Sequence, residues 1–168
     1  SRTVVDTAPV NEVLPGEVDF DSNSNSGGYT DLTVTRNPAD GATLRYIRAG
    51  NKTLEEDWQY RVEGNKVTLN RSAVAEFGEN GASYADFTFV MSSGKNPVLR
   101  VNYVTTYALT ASVVDDLGLP IEDASVTFSP SGDDAENSTA AQTVNTDSNG
   151  KATVYVKRGS YPVTATHE

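Results

Sequence analysis

The chain has no cysteine and only one histidine, one tryptophan and one methionine in 168 residues, and each shortage closes a class of function. Without cysteine there is no disulfide, no thiol nucleophile and no thiolate metal site. That absence suits the cytosol and equally suits exported bacterial proteins that do without disulfides, so it leaves the compartment open. The single histidine, His167, stands one residue from the end, which removes Ser-His-Asp triads and histidine metal centres. No apolar run approaches the roughly 18 residues that cross a bilayer, so no membrane insertion is expected. The first residues, Ser1-Arg2-Thr3-Val4-Val5-Asp6, lack the basic-then-apolar order of an export leader and read as the start of an excised fragment.

Positive charge is also scarce, with 13 Lys and Arg against 23 Asp and Glu and a net charge of -10. Phosphate binding depends on clustered cations that displace counterions, so no nucleic-acid partner is expected, and the acidity serves solubility. Arg45, Arg48 and Lys52 are the nearest approach to a basic patch, and they alternate with Tyr46 and Ile47 in one strand and its turn.

What the chain does contain is a side-chain period of two. Leu32 and Val34, Tyr60 and Val62, Val67 and Leu69, and Phe87, Phe89 and Met91 each alternate with neighbours on the other face of a half-buried strand. Glycine- and asparagine-rich turns separate these runs, at Asn37 to Gly41, Ala49-Gly50-Asn51, Glu63-Gly64-Asn65 and Ser92 to Pro97. One helical stretch interrupts them: Asn70 to Gly78 has a capping residue, good helix formers and a terminal glycine, which predicts a turn or two of helix across one end of a sandwich. Toward the end, Thr146-Asp147-Ser148-Asn149-Gly150 runs into Lys151 to Val156 and reads as a hairpin turn, with Ala152, Val154 and Val156 on one face. A second turn, Gly159-Ser160, opens another alternating strand from Tyr161 to Thr166.

The fold class is therefore all-β, with two tandem immunoglobulin-like β-sandwich domains over residues 1–105 and 106–168. The joint, Thr105-Thr106, is too short for a flexible linker, so a limited range of mutual domain angles is expected.

The segment Leu54-Glu55-Glu56-Asp57-Trp58-Gln59-Tyr60-Arg61-Val62-Glu63-Gly64-Asn65-Lys66-Val67-Thr68-Leu69, followed by Arg71-Ser72-Ala73-Val74, resembles the immunoglobulin-like X module of the second class. That family occurs in cellulosomal scaffoldins and multimodular glycoside hydrolases and is described as carbohydrate-binding. Here Gln59 replaces the family's aspartate, and Asp57 stands where a glycine is common. Val18-Asp19-Phe20-Asp21 and Phe87-Thr88-Phe89 match its first and penultimate strands, so the resemblance covers residues 8–105. The second unit, through Val114 to Ile121, Val126-Thr127-Phe128, Thr146 to Thr153 and Gly159 to Ala165, is similar to group-one bacterial immunoglobulin-like domains and to carboxypeptidase-regulatory-like domains of transthyretin type. These resemblances imply a non-catalytic, extracellular module pair, secreted or attached to the cell surface, that spaces neighbouring modules of the same polypeptide in a bacterial cellulosome-like assembly. Two other functions stay open: a carbohydrate-binding module for a plant polysaccharide, and the stalk of a cell-surface adhesin. The implied partners are those neighbouring modules, a plant polysaccharide or a cohesin–dockerin pair, although the chain itself carries no dockerin calcium loops.

Two sets of residues are candidates for binding. Sugar rings stack on exposed aromatic faces; the period of two is read as setting Trp58 opposite Tyr60, and the resemblance implies a buried Tyr60, which leaves Trp58 as the exposed candidate unless it packs at the domain joint or covers an edge strand; Tyr46 and Tyr29 are the next candidates. Asp19, Asp21 and Asn23 place oxygen ligands at alternate positions, as calcium loops do, but without the glycine and distal glutamate of an EF-hand, so calcium is the one cofactor to consider. No enzymatic role is expected. Glu55-Glu56-Asp57, Asp115-Asp116 and Asp133-Asp134 all fall in turns, where acidic residues serve solvation and local hydrogen bonding.

Overall fold

The computed structural model describes residues 3, 5 and 7–168. Ser1, Arg2, Val4 and Asp6, part of the stretch read above for a leader, lie outside the described residues. Contacts divide the chain into two compact units, one ending at Val104 and one beginning at Thr105. Among the described residues no helix is long and apolar enough to cross a membrane.

The first unit is a sandwich of two sheets. Its elements are β1 (Glu12–Leu14), β2 (Glu17–Asp21), β3 (Leu32–Asn37), β4 (Leu44–Ala49), β5 (Lys52–Thr53), β6 (Tyr60–Glu63), β7 (Lys66–Leu69), α1 (Arg71–Glu76), β8 (Tyr84–Met91) and β9 (Val98–Val104). One sheet has the order β1-β3-β7-β6 and the other β2-β9-β8-β4-β5. The strand matched to the family's first, Val18 to Asp21, is thus preceded by β1, which pairs with β3. Alternation decides which side chains meet: Leu32 and Val34 of β3, Val67 and Leu69 of β7, Phe87 and Phe89 of β8, and Leu99 and Val101 of β9 form one buried cluster with Phe20 and Ile47. Burying one phenylalanine or leucine side chain stabilises the fold by about 1.5–3 kcal/mol.

The helical stretch forms as expected and adds Ala73 and Val74 to the buried set. Asn70 caps it, its side chain accepting from the Ser72 amide at 2.8 Å. Asp31 supplies a second cap from outside the helix, accepting from the Arg71 amide at 2.9 Å.

The second unit comprises β10 (Tyr107–Ser112), β11 (Ser125–Phe128), a 3-10 turn (Ala135–Asn137), β12 (Gln142–Asn145), β13 (Lys151–Val156) and β14 (Val163–Thr166). β10 pairs with β13, and a separate sheet runs β12-β11-β14. Ala152, Val154 and Val156 are buried against Val126 and Phe128, the face that alternation predicts.

The expected hairpin at Asp147 to Lys151 is not one, because the turn joins β12 and β13, which belong to different sheets, and the Gly159-Ser160 turn likewise leads from β13 to β14 of the other sheet. Between β12 and β13 the Asp147 side chain accepts from the amides of Asn149 at 2.8 Å and Lys151 at 3.0 Å. Gly150, not Asn149, has the positive φ, at 73°. Any side chain at Gly150 would stand 2.6 Å from the Val113 carbonyl oxygen, so this glycine also allows a close approach of two loops. The final strand is shorter than expected, and Val163 to Thr166 are all exposed, because β14 lies at the edge of its sheet.

Candidate functional site

Trp58 sits in the tight turn that feeds β6. The Gln59 amide donates to the Glu55 carbonyl at 2.8 Å, the Gln59 side chain accepts from the Glu55 amide at 2.8 Å, and the Asp57 amide donates to the Tyr60 carbonyl at 2.7 Å. Asp57 has φ 67°, in the left-handed region, at the position where the resembled family commonly has glycine. The result is that Trp58 is 59% exposed while Tyr60 is 4% exposed. Strand alternation does not separate them, since residues two apart in a strand share a face. The left-handed step at Asp57 and the turn around it break the period, and β6 begins only at Tyr60.

Beside the indole lies a polar notch of about 60 Å³ bordered by Asp31, Asp57, Arg61, Thr68 and Asn70. The Asp31 carboxyl is held below its ordinary pKa of 3.8, chiefly by the Arg71 backbone hydrogen bond and then by the Arg71 side chain, so it is an anion at neutral pH. A ring face flanked by hydrogen-bonding groups is the chemistry that holds a sugar: apolar C–H surface on the indole and hydroxyls on the polar rim.

The other two aromatic candidates do not join Trp58. Tyr29 is half-buried with its ring centroid 5.3 Å from that of Phe20, so it belongs to the core. Tyr46 is half-buried in β4 of the other sheet, opposite Val90. Two tyrosines not singled out above are exposed, Tyr84 and Tyr107. Guanidinium groups lie over both, Arg100 at 4.1 Å from the Tyr84 centroid and Arg158 at 5.8 Å from that of Tyr107. Among the described residues, Trp58 is the exposed aromatic with neither a cation nor another ring stacked on it.

The three proposed calcium ligands are placed differently from one another. Asp19 is exposed on β2, whereas Asp21 is buried and its Oδ1 accepts from the Asn23 amide at 2.9 Å. Asn23 in turn accepts from the Asn25 amide at 3.0 Å. Their oxygens shape the loop between β2 and β3, and Gly28 is pressed against the Asp21 side chain, where a β-carbon would stand 2.8 Å from Asp21 Cβ. Among the described residues no group of three or more Asp, Glu, His or Cys side chains is arranged to hold a metal ion.

A larger cleft, of about 360 Å³, has Tyr60 again on its border. Arg36 of β3, Leu44 and Arg45 of β4, Val62 of β6 and Glu56 complete the part that matters chemically. Burial, and next the charge of Glu56, push the Tyr60 hydroxyl above the usual phenol pKa. Sequence reasoning missed Arg36, although the signal was available: it continues the inward row of Leu32 and Val34.

Comparison with known families matches residues 13–101 to the carbohydrate binding domain X2 and residues 100–168 to the bacterial Ig-like domain (group 1). A comparison with curated proteins finds no match. Among solved structures, the full-length tri-modular endo-beta-1,4-glucanase B from Bacillus halodurans is similar at 14% identity and TM-score 0.48, over 71% of this chain and 23% of that one. A tri-modular GH5 (subfamily 4) endo-beta-1,4-glucanase from Bacillus licheniformis, complexed with cellotetraose, is similar at 16% identity and TM-score 0.48, over 72% of this chain and 26% of that one. The chain thus spans about a quarter of the length of these two proteins.

Proposed function

The chain belongs to the carbohydrate binding domain X2 family through its first unit, and we propose that it is a non-catalytic, extracellular pair of modules in a bacterial polysaccharide-degrading assembly. The second unit is an immunoglobulin-like domain of the bacterial group-one type. In this reading the first unit touches the polymer through Trp58 and the second spaces it from neighbouring modules of the same polypeptide. The observation that carries the reading is the 59% exposed Trp58 ring beside the notch formed with Asp31, Arg61 and Asn70.

Carboxylate placement supports a role without bond-making. Asp115, in one acidic pair, uses Oδ1 to accept from the amides of Leu117 at 2.8 Å and Leu119 at 3.0 Å. Asp133-Asp134 lies on the exposed loop around the 3-10 turn, and Glu55-Glu56-Asp57 belongs to the Trp58 turn. Glycosidase chemistry needs two carboxyl groups facing one bond about 5–10 Å apart, and these pairs are committed to turns.

A second reading is spacing alone, with no polymer contact, favoured by the dispersed positions of Tyr29 and Tyr46, which form no aromatic platform with Trp58. Affinity electrophoresis through gels containing soluble cellulose derivative, xylan, xyloglucan or starch separates the two. Retardation that vanishes in Trp58→Ala supports polymer contact, and unretarded migration in every gel leaves spacing alone. A cohesin–dockerin partner belongs to the neighbouring-module part of this proposal and is tested by co-purification of the complete polypeptide.

A further inference from the structure

The inward row of β3 runs Leu32, Val34, Arg36, with the alternating residues between them exposed. An arginine in the third inward position breaks with the apolar core. A cation taken out of water carries a penalty of several kcal/mol unless a counter-charge or full hydrogen bonding meets it. Arg36 is only 9% exposed, its Nη2 donates to one neutral acceptor, the Gly64 carbonyl at 2.8 Å, and its buried Nε has no hydrogen-bond partner. Among the described residues no ion pair includes Arg36 or Arg45.

The same guanidinium borders the 360 Å³ cleft, which Arg45 and Glu56 also line from exposed positions. Two arginines against one glutamate leave a local excess of positive charge in a chain whose net charge is -10. Leu44, Val62 and the edge of Tyr60 give the cleft apolar walls. Its volume is in the range of small-ligand pockets, about 300–1,000 Å³. The planar guanidinium fork matches the two oxygens of a carboxylate in a way that a lysine ammonium does not.

We propose that the cleft of Arg36, Arg45 and Tyr60 binds the carboxylate of a uronic acid residue carried on a polysaccharide. A carboxylate seated there supplies the counter-charge for Arg36 that the fold itself leaves out, while the sugar ring lies against the apolar wall. The proposal rests on the reading of the first unit as a carbohydrate-contacting module, and it names the class of sugar: acidic polymers over their neutral counterparts. Trp58 borders the smaller notch and not this cleft, so stacking there and charge recognition here are separable.

The test titrates the whole chain by calorimetry with glucuronic-acid-substituted xylo-oligosaccharide and oligogalacturonate, and with neutral xylo-oligosaccharide of matched length. At least one acidic ligand is expected to bind about tenfold tighter or more than the neutral one, as a charge-assisted hydrogen bond provides. That advantage shrinks with added salt. It is lost in Arg36→Gln and falls several-fold in Arg45→Ala, whose side chain is exposed. Should Arg36→Gln fail to fold, Arg45→Ala decides. Equal affinity for acidic and neutral ligands, or an acidic preference untouched by Arg45→Ala, overturns the proposal and leaves the carbohydrate reading standing. No binding of any of the three, together with unretarded migration in every polymer gel, removes the carbohydrate reading itself.

Discussion

A β-carbon on Gly78 would stand 2.6 Å from the ring of Tyr103, and the Tyr103 hydroxyl donates a 2.6 Å hydrogen bond to the Val74 carbonyl of α1. The glycine after the helix is there for this close approach of β9, not for a left-handed cap, since Phe77 ends the helix and Gly78 is absent from the glycines with positive φ. Burial pushes the Tyr103 hydroxyl far above the usual phenol pKa.

Gly78→Ala should therefore destabilise the first unit by about 1–3 kcal/mol, the range for overpacking a filled site. Tyr103→Phe should cost about 1–3 kcal/mol, because it leaves the Val74 carbonyl without its partner. Urea unfolding of each variant checks both. A variant as stable as the parent would show that the helix is not clamped by this contact.

Stability should fall at both ends of the pH scale for different groups. Asp31 accepts from Arg71 at the backbone and at Nε, and Asp86 pairs with Arg100 through two hydrogen bonds of 2.9 and 3.0 Å. Both carboxyls are depressed below 3.8, Asp31 chiefly by the Arg71 backbone hydrogen bond and Asp86 by the Arg100 side chain. A depressed folded pKa gives stability that is complete above the unfolded pKa and lost as pH falls through the folded one. These side chains are partly exposed, so solvent screens each pair and its contribution is small. The raised Tyr103 group acts in the opposite sense, with its contribution intact below pH 10.0 and declining above it. Melting curves should show Asp31→Asn and Asp86→Asn losing less than the parent on acidification below pH 4. Equal losses in parent and variants would assign the acid sensitivity elsewhere.

Calcium and chelator should leave the melting temperature unchanged. Asp21 and Asn23 direct oxygens at amides of their own loop, and Asp19 is exposed on β2. An ion that binds only the folded state raises the melting temperature with its concentration. A calcium-dependent rise abolished by Asp21→Asn would establish the Asp19, Asp21 and Asn23 loop as a site after all.

Much of the fold was legible because a period of two states which face a residue takes. Phe87, Phe89 and Met91 are buried as the alternation requires, and Asn70 caps the helix it predicts. Period says nothing about which strand is the neighbour, so the Asp147 to Lys151 turn reads as a hairpin in the sequence although it carries the chain from one sheet to the other. The short β12, Gln142 to Asn145, lay unseen because its sequence is mostly polar. At the candidate site Trp58 was legible as an exposed aromatic, but its setting depends on the left-handed Asp57, a matter of turn geometry. Arg36 was overlooked because a charged side chain at the end of an apolar row looks like the row's end, and only the cleft behind it gives the position meaning.

The most direct measurement is the mobility of the parent and Trp58→Ala in gels containing each polysaccharide. The account predicts that at least one polymer retards the parent and that Trp58→Ala binds that polymer about tenfold more weakly or worse, as the loss of a central tryptophan does at other binding surfaces. Equal retardation of the two, or free migration of the parent through every neutral and acidic polymer, would contradict it.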